Sequence, residues 1–187
     1  MLSNHVIIVH GTCGSPSGNW FPWLERELAS SHGAVSVPAF PTPEGQSFAR
    51  WREVFLKVDN APAESTILIG HSIGAPFVLR MAEEAKRPYK AIIAVCPFAK
   101  RLGVKEFDDL NSTFVERDFD WRRIKEGALH RLCFAGDDDP YVPLNFSKDV
   151  AKAIEAELIV VPRGGHLNAE FGYTAFPEIL DALKGIL

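Results

Sequence analysis

Three short stretches carry side chains able to do chemistry together: Gly70-His71-Ser72-Ile73-Gly74, Gly136-Asp137-Asp138-Asp139-Pro140 and Gly164-Gly165-His166. A serine, a carboxylate and a histidine are the parts of covalent acyl transfer. The serine hydroxyl is a weak nucleophile at neutral pH. It needs a base to take its proton, and the base needs an acid to fix its tautomer and balance its charge. Here the three types occur in the order serine, acid, histidine. Gly-x-Ser-x-Gly spacing alone is weak, since residue frequencies would give it in about one in twenty chains of this length. Its context is stronger. The motif follows the apolar run Thr66–Ile69 and opens an amphipathic segment, the setting of a tight strand-to-helix turn that lifts a serine above a sheet.

The acid is chosen from three neighbours. Asp139, last in the run and directly before Pro140, is favoured. Asp138 is the alternative, and Asp137 reads as a solvated loop residue. His166 follows the apolar run Leu158–Val161 and is the expected base. His71 leaves the turn in another direction than Ser72, and His5, His32 and His130 read as structural or exposed. A developing oxyanion would be met by the Ile73 N–H at a helix start and by a second N–H, from Thr12 or Cys13, in the loop His10-Gly11-Thr12-Cys13-Gly14. That loop matches neither Gly-x-x-x-x-Gly-Lys nor Gly-x-Gly-x-x-Gly, so it is not read as a phosphate cradle.

The elements that must position these residues alternate. Apolar runs at Val6–Val9, Ala34–Val37, Thr66–Ile69, Ala91–Val95, Leu132–Phe134 and Leu158–Val161 read as strands, several of them buried on both faces. Between them lie helical stripes: Trp20, Trp23, Leu24 and Leu28; Phe48, Trp51, Phe55 and Leu56; Phe77, Val78, Met81 and Ala82; Val150, Ile154 and Leu158; Ala175, Ile179 and Leu183. Strand–helix alternation over residues 1–187 predicts one α/β domain, a three-layer α/β/α sandwich around a parallel sheet. The rhythm lapses between Pro97 and about Leu129, where Trp121–Lys125 starts a helix into the next strand. That connection is too short for a large lid, so the site is expected to be open. Phe98, Phe114, Phe119 and Trp121 are candidates for an acyl pocket and Trp20 for its mouth.

Composition narrows the function class. The chain has 187 residues, 47% apolar and 24% charged, with a net charge of −4. Ordinary apolar content argues for a globular fold, and a mildly acidic chain has no general pull toward nucleic acid or anionic membranes. Residues 1–9 lack a basic region before their short apolar run, and no stretch approaches the roughly 20 apolar residues of a bilayer span. Cys13, Cys96 and Cys133 cannot all pair and have no zinc spacing. A cytoplasmic protein without metal or other cofactor is expected, acting on a small ester or short peptide-like substrate as a monomer or homodimer.

The combination of Gly70-His71-Ser72-Ile73-Gly74, Asp139-Pro140-x-Val142-Pro143, Gly165-His166, the opening His10-Gly11 and Trp20-Phe21-Pro22-Trp23 resembles the α/β-hydrolase fold over the whole chain. Its length is similar to that of the small serine hydrolases of the retinoblastoma-binding protein nine and YdeN type. The resemblance implies a six-stranded parallel sheet in the order 2-1-3-4-5-6, a triad of Ser72, Asp139 and His166, and cofactor-free esterase or aminopeptidase-like activity. The Leu-x-Cys-x-Glu interaction motif of the mammalian relative is absent: Cys133 sits in Leu132-Cys133-Phe134-Ala135. Its partner is therefore not carried over. Small esters rank first as substrates. An aminopeptidase ranks lower, because no acidic residue is clearly placed for a free amine. An acyltransferase on the same triad and a catalytically idle interaction module are the alternatives.

Overall fold

A computed structural model of the chain describes residues 4–29 and 33–187, so His32 lies outside the described residues. Strands β1 (Asn4–Val9), β2 (Gly33–Ser36), β3 (Thr66–His71), β4 (Tyr89–Val95), β5 (Ala128–Gly136) and β6 (Glu157–Val161) form one sheet in the order β2-β1-β3-β4-β5-β6. Every neighbouring pair is parallel. The crossovers are made by α1 (Phe21–Ala29), α2 (Phe48–Phe55), α3 (Gly74–Glu84), α4 (Lys105–Val115), α5 (Trp121–Glu126), α6 (Leu144–Ala153) and α7 (Pro177–Lys184).

Alternation along the strands divides the core into two. Val6 and Ile8 of β1 pack with Phe21, Leu24, Ile179 and Leu183 of α1 and α7. Ile7 and Val9 point the other way and join Trp51, Phe77, Phe114 and Val150 of α2, α3, α4 and α6. Burial of each large apolar side chain contributes about 1.5–3 kcal/mol. On the second face, aromatic rings pack among the aliphatic side chains: Trp51 meets Phe114 edge-on with centroids 5.0 Å apart, and the Trp51 Nε1–H donates to the Pro41 carbonyl.

Two boundaries differ from the sequence pattern. β5 begins at Ala128, opposite Tyr89, although His130 and Arg131 interrupt the apolar run. The Arg131 guanidinium is satisfied by the Ile154, Lys125 and Ala128 carbonyls. The helical stripe through Val150 and Ile154 ends there, and Leu158 belongs to β6.

The excursion after β4 folds into α4 and α5. Both carboxylate oxygens of Asp108 take N–H groups of the entering loop, from Leu102 at 2.6 Å and Gly103 at 2.9 Å. From α3, buried Arg80 holds the far end. Its guanidinium donates to the Phe114, Arg117 and Asp118 carbonyls and to Glu83, and lies 3.5 Å over the Phe119 ring.

Candidate active site

The C-terminal ends of β1, β3, β5 and β6 bring their loops to one edge of the sheet, beside the point where β2 and β3 diverge on either side of β1. Parallel sheets bind ligands at such switch points. Ser72 stands directly after β3 with φ 56°, in the left-handed region that L side chains seldom adopt. The flanking glycines are forced by close approach. A Cβ on Gly70 would lie 2.2 Å from the Gly74 carbonyl oxygen, and one on Gly74 would lie 2.4 Å from that of Val9. The turn is pinned by Ser72 N–H to the Val95 carbonyl and by Ala75 N–H to the Ser72 carbonyl, each at 2.9 Å. Ile73 follows as the N-cap of α3.

The three aspartates separate by what they hold. Asp137 Oδ1 accepts the Arg163 N–H and Asp138 Oδ1 accepts the Gly165 N–H, both at 2.7 Å, tying the β5 loop to the β6 loop. Asp139 is the buried one. Its Oδ2 lies 2.7 Å from His166 Nδ1, and its Oδ1 accepts the Tyr141 and Val142 N–H groups at 2.8 and 3.0 Å. Burial pushes the Asp139 carboxyl up, but the His166 contact and those N–H groups outweigh it and hold it below the ordinary carboxylate value. A carboxylate so placed fixes His166 with its proton on Nδ1 and leaves Nε2 free for a base.

The β6 loop is shaped by unusual backbone: Arg163, Gly165 and Leu167 have φ of 56°, 52° and 48°. Trp20 Nε1–H donates to the Leu167 carbonyl at 3.0 Å and braces this loop from below. His71 does so from inside the sheet, with Nε2–H donating to the His166 carbonyl at 2.9 Å. Burial, reinforced by nearby His166, pushes the His71 pKa down to about 3.

The loop after β1 is anchored by His10. Its Nε2 accepts the Phe40 N–H at 3.1 Å, so Nδ1 carries the proton toward the Gly11 carbonyl at 2.9 Å. Of the two N–H groups expected as the second oxyanion donor, that of Cys13 is committed to Thr42 Oγ1 at 2.7 Å. Thr12 remains as the candidate of that pair. The Thr12 side chain enters a network, donating to Asn111 Oδ1 at 2.8 Å while Gln46 Nε2 donates to both, at 3.1 and 2.8 Å.

A cavity of about 290 Å³ lies over Ser72 and His166, with Leu102, Phe107, Asn111, Tyr141 and Glu170 among its walls. The aromatic residues expected to line it do not. Trp20, Phe98 and Phe114 are fully buried in the core, and Phe119 packs under Arg80. Trp121 stacks on Phe119 and borders a separate groove with Lys100 and Phe146. For α4 the reason is position along one helix face. Phe107, Asn111 and Phe114 share one face of α4, and that face runs from the cavity rim into the core. Phe107, Asn111, Gln46 and Glu170 were missed in the sequence. The spacing of Phe107 and Asn111 was the available signal.

Among the described residues, one group of side chains could present ligand atoms to a metal: His71, Cys96 and His166, all within 4.8 Å of one another. All three belong to the site already described. His71 Nε2 and His166 Nδ1 have the partners given above, and the buried Cys96 thiol is hydrogen-bonded to Asp139. The cysteines of the described residues are all unpaired. No helix of the described residues is long and apolar enough to cross a membrane.

The chain is 34% identical to YdeN of Bacillus subtilis over 97% of its own length and 95% of that protein. It is 29% identical to serine hydrolase RBBP9 of Rattus norvegicus, over 97% and 94%. The crystal structure of the B. subtilis ydeN gene product superposes with a TM-score of 0.91, covering 98% of each chain at 33% identity. Est1E of Butyrivibrio proteoclasticus, at 18% identity and a TM-score of 0.72, shares the fold over 98% of this chain and 86% of its own. The serine hydrolase family model matches residues 6–185, and the chain is a member of that family of α/β-hydrolases.

Proposed function

We propose that this hydrolase cleaves small esters through Ser72, His166 and Asp139. His166 takes the Ser72 proton as Oγ attacks the acyl carbonyl. The Ile73 and Thr12 N–H groups meet the oxyanion. The C–O bond then breaks, the alcohol leaves with the proton from His166, and water cleaves the acyl-serine by the same route, regenerating the hydroxyl. The observation that carries this reading is the buried 2.7 Å contact of Asp139 with His166 next to a serine at φ 56°. The cavity walls Leu102, Phe107 and Val142 suit a short apolar acyl chain. No cofactor is needed for any of these steps.

A fluorophosphonate probe tests it. Wild type should label, Ser72→Ala should not, and His166→Ala should label only marginally. A folded wild type that resists the probe sinks the reading and favours an idle interaction module.

A second reading concerns the acyl group. Glu170 lines the cavity, with both carboxylate oxygens within 3.0 Å of the Tyr141 hydroxyl. A carboxylate there suits a substrate amine, as in an aminoacyl ester or amide. Comparing 2-aminobutyrate and butyrate esters of one alcohol decides between the two.

A further inference from the structure

Gln46 fixes the side-chain amide of Asn111 in one orientation. The Leu110 carbonyl can only accept, so the Gln46 atom 3.1 Å from it is the nitrogen, Nε2. Gln46 Oε1 then faces the other way and accepts the Thr42 hydroxyl at 2.6 Å. An amide nitrogen only donates, so the Asn111 atom 2.8 Å from Gln46 Nε2 is the oxygen, Oδ1. That oxygen also accepts the Thr12 hydroxyl at 2.8 Å. Asn111 Nδ2 is thereby turned away from the network. It donates to no group of the described residues, and it is not among their buried unpartnered atoms, which are His71 Nδ1 and Asn168 Oδ1. It therefore keeps open surface, although the residue as a whole is only 5% exposed. Asn111 lines the cavity of about 290 Å³ over Ser72 and His166, and Nδ2 is the polar atom it has left to present there.

A fixed donor among the apolar walls Leu102, Phe107 and Val142 changes what the cavity selects. Water can satisfy Nδ2 in the free protein. An all-carbon acyl chain that displaces this water leaves the donor unpaired, at a cost, whereas a chain with an oxygen at that point restores the bond. Glu170 lines the same cavity, and its carboxylate opposes an anionic acyl group, so the fitting acceptor is a neutral ether or carbonyl oxygen. We infer that Asn111 is a specificity-determining residue that directs the enzyme toward esters whose acyl chain carries a neutral oxygen acceptor, in preference to plain alkanoates. This assignment rests on the proposed acylation of Ser72 with the acyl chain in this cavity. Gln46 is the positioning residue behind it, since it alone holds the Asn111 amide with its nitrogen outward.

The test compares kcat/KM for two pairs of p-nitrophenyl esters of matched chain length, methoxyacetate with butyrate and 3-methoxypropanoate with pentanoate. Each ratio is divided by the same ratio for hydrolysis by hydroxide, which removes the inductive effect of the oxygen. The ether-containing ester of at least one pair should be preferred by about three- to tenfold. Asn111→Asp keeps an oxygen for Thr12 and Gln46 but replaces the outward donor with an acceptor, so the ratio should fall to unity or below. Asn111→Ala, which lacks both atoms, should bring it toward unity without adding charge. Wild-type ratios of unity in both pairs, with butyrate turned over, would overturn the assignment and leave the hydrolase standing. A preference retained in either variant places the recognition elsewhere and also overturns it. If none of the four esters is cleaved, the hydrolase reading falls, and the role of Asn111 with it.

Discussion

The loops after β5 and β6 and the excursion between β4 and β5 reach the same cavity but are held there by different means. The loops are short and closed by local backbone geometry. Their carboxylates bind N–H groups across a narrow gap, and glycines permit close contact: a Cβ on Gly136 would lie 2.1 Å from the Gly165 carbonyl oxygen. The excursion is a helix pair held from a distance. Arg80 of α3 grips its carbonyls, and Gln46, from the segment after β2, ties its Asn111 to Thr12. Rigid short loops suit groups that must meet within hydrogen-bond distance, whereas a separately anchored helix can alter the cavity wall without moving those groups.

The comparison can be broken most forcefully at the loops. Ser72→Ala should lower kcat by at least about 10⁴-fold and Asp139→Asn by about 10³–10⁴-fold. Asp138→Asn and Asp137→Asn should each cost less than about tenfold, since they hold the loop and do not touch His166. Ester turnover across the four variants ranks them, and an Asp138 variant as impaired as Asp139→Asn would move the acid by one residue.

Next in size is the excursion. Removing Arg80 leaves the Phe114, Arg117 and Asp118 carbonyls without their donor, while Glu83 keeps Arg117 and the Asp120 N–H, so Arg80→Met should destabilise the chain by about 3–5 kcal/mol in urea unfolding. A similar loss of about 3–5 kcal/mol is expected for Phe114→Ala, buried in the core, with little change in acyl-chain preference. Phe107→Ala, at the cavity rim, should do the reverse: less than about 1 kcal/mol of stability but a changed acyl-length profile. Identical profiles for the two phenylalanine variants would refute their assignment to rim and core.

A smaller effect appears with pH. His71 is held down to about 3 from its ordinary 6.5, so the unfolded chain binds that proton first. The groups acting on it are His166, Asp139 and His10. Stability should be full above about pH 6.5 and fall as pH drops toward 3, by up to about 1.4 kcal/mol per pH unit. Asp139, held low, adds a loss in the same direction below the ordinary carboxylate range. Urea midpoints at pH 7.5 and 5.0, in wild type and His71→Gln, isolate the histidine part. An unchanged midpoint difference in the variant would show that His71 is not the source.

Much of this was legible in the residues. The apolar runs placed the strands because a sheet buried on both faces demands them. Gly70, Ser72 and Gly74 announced their turn because they sit between an apolar run and an amphipathic segment, where glycines relieve the crowding of a tight turn. The aromatic residues of the excursion were not legible in the same way. Phe107 and Phe114 are chemically alike and lie on one face of α4 two turns apart, and only the packing along that helix leaves the first at the cavity and buries the second in the core. Cys13 was equally opaque, since its N–H is taken by Thr42, distant in sequence.

By itself, then, the sequence determined the sheet, the strand-end loops and the residue types able to perform acyl transfer, because hydrophobic period and glycine spacing act over a few neighbouring residues. Tertiary structure alone decided which aspartate meets His166, which face of α4 walls the cavity, and that the Cys13 N–H is spent on Thr42. Those outcomes depend on contacts between segments far apart in the chain, where burial and hydrogen-bond competition, not local pattern, set the result.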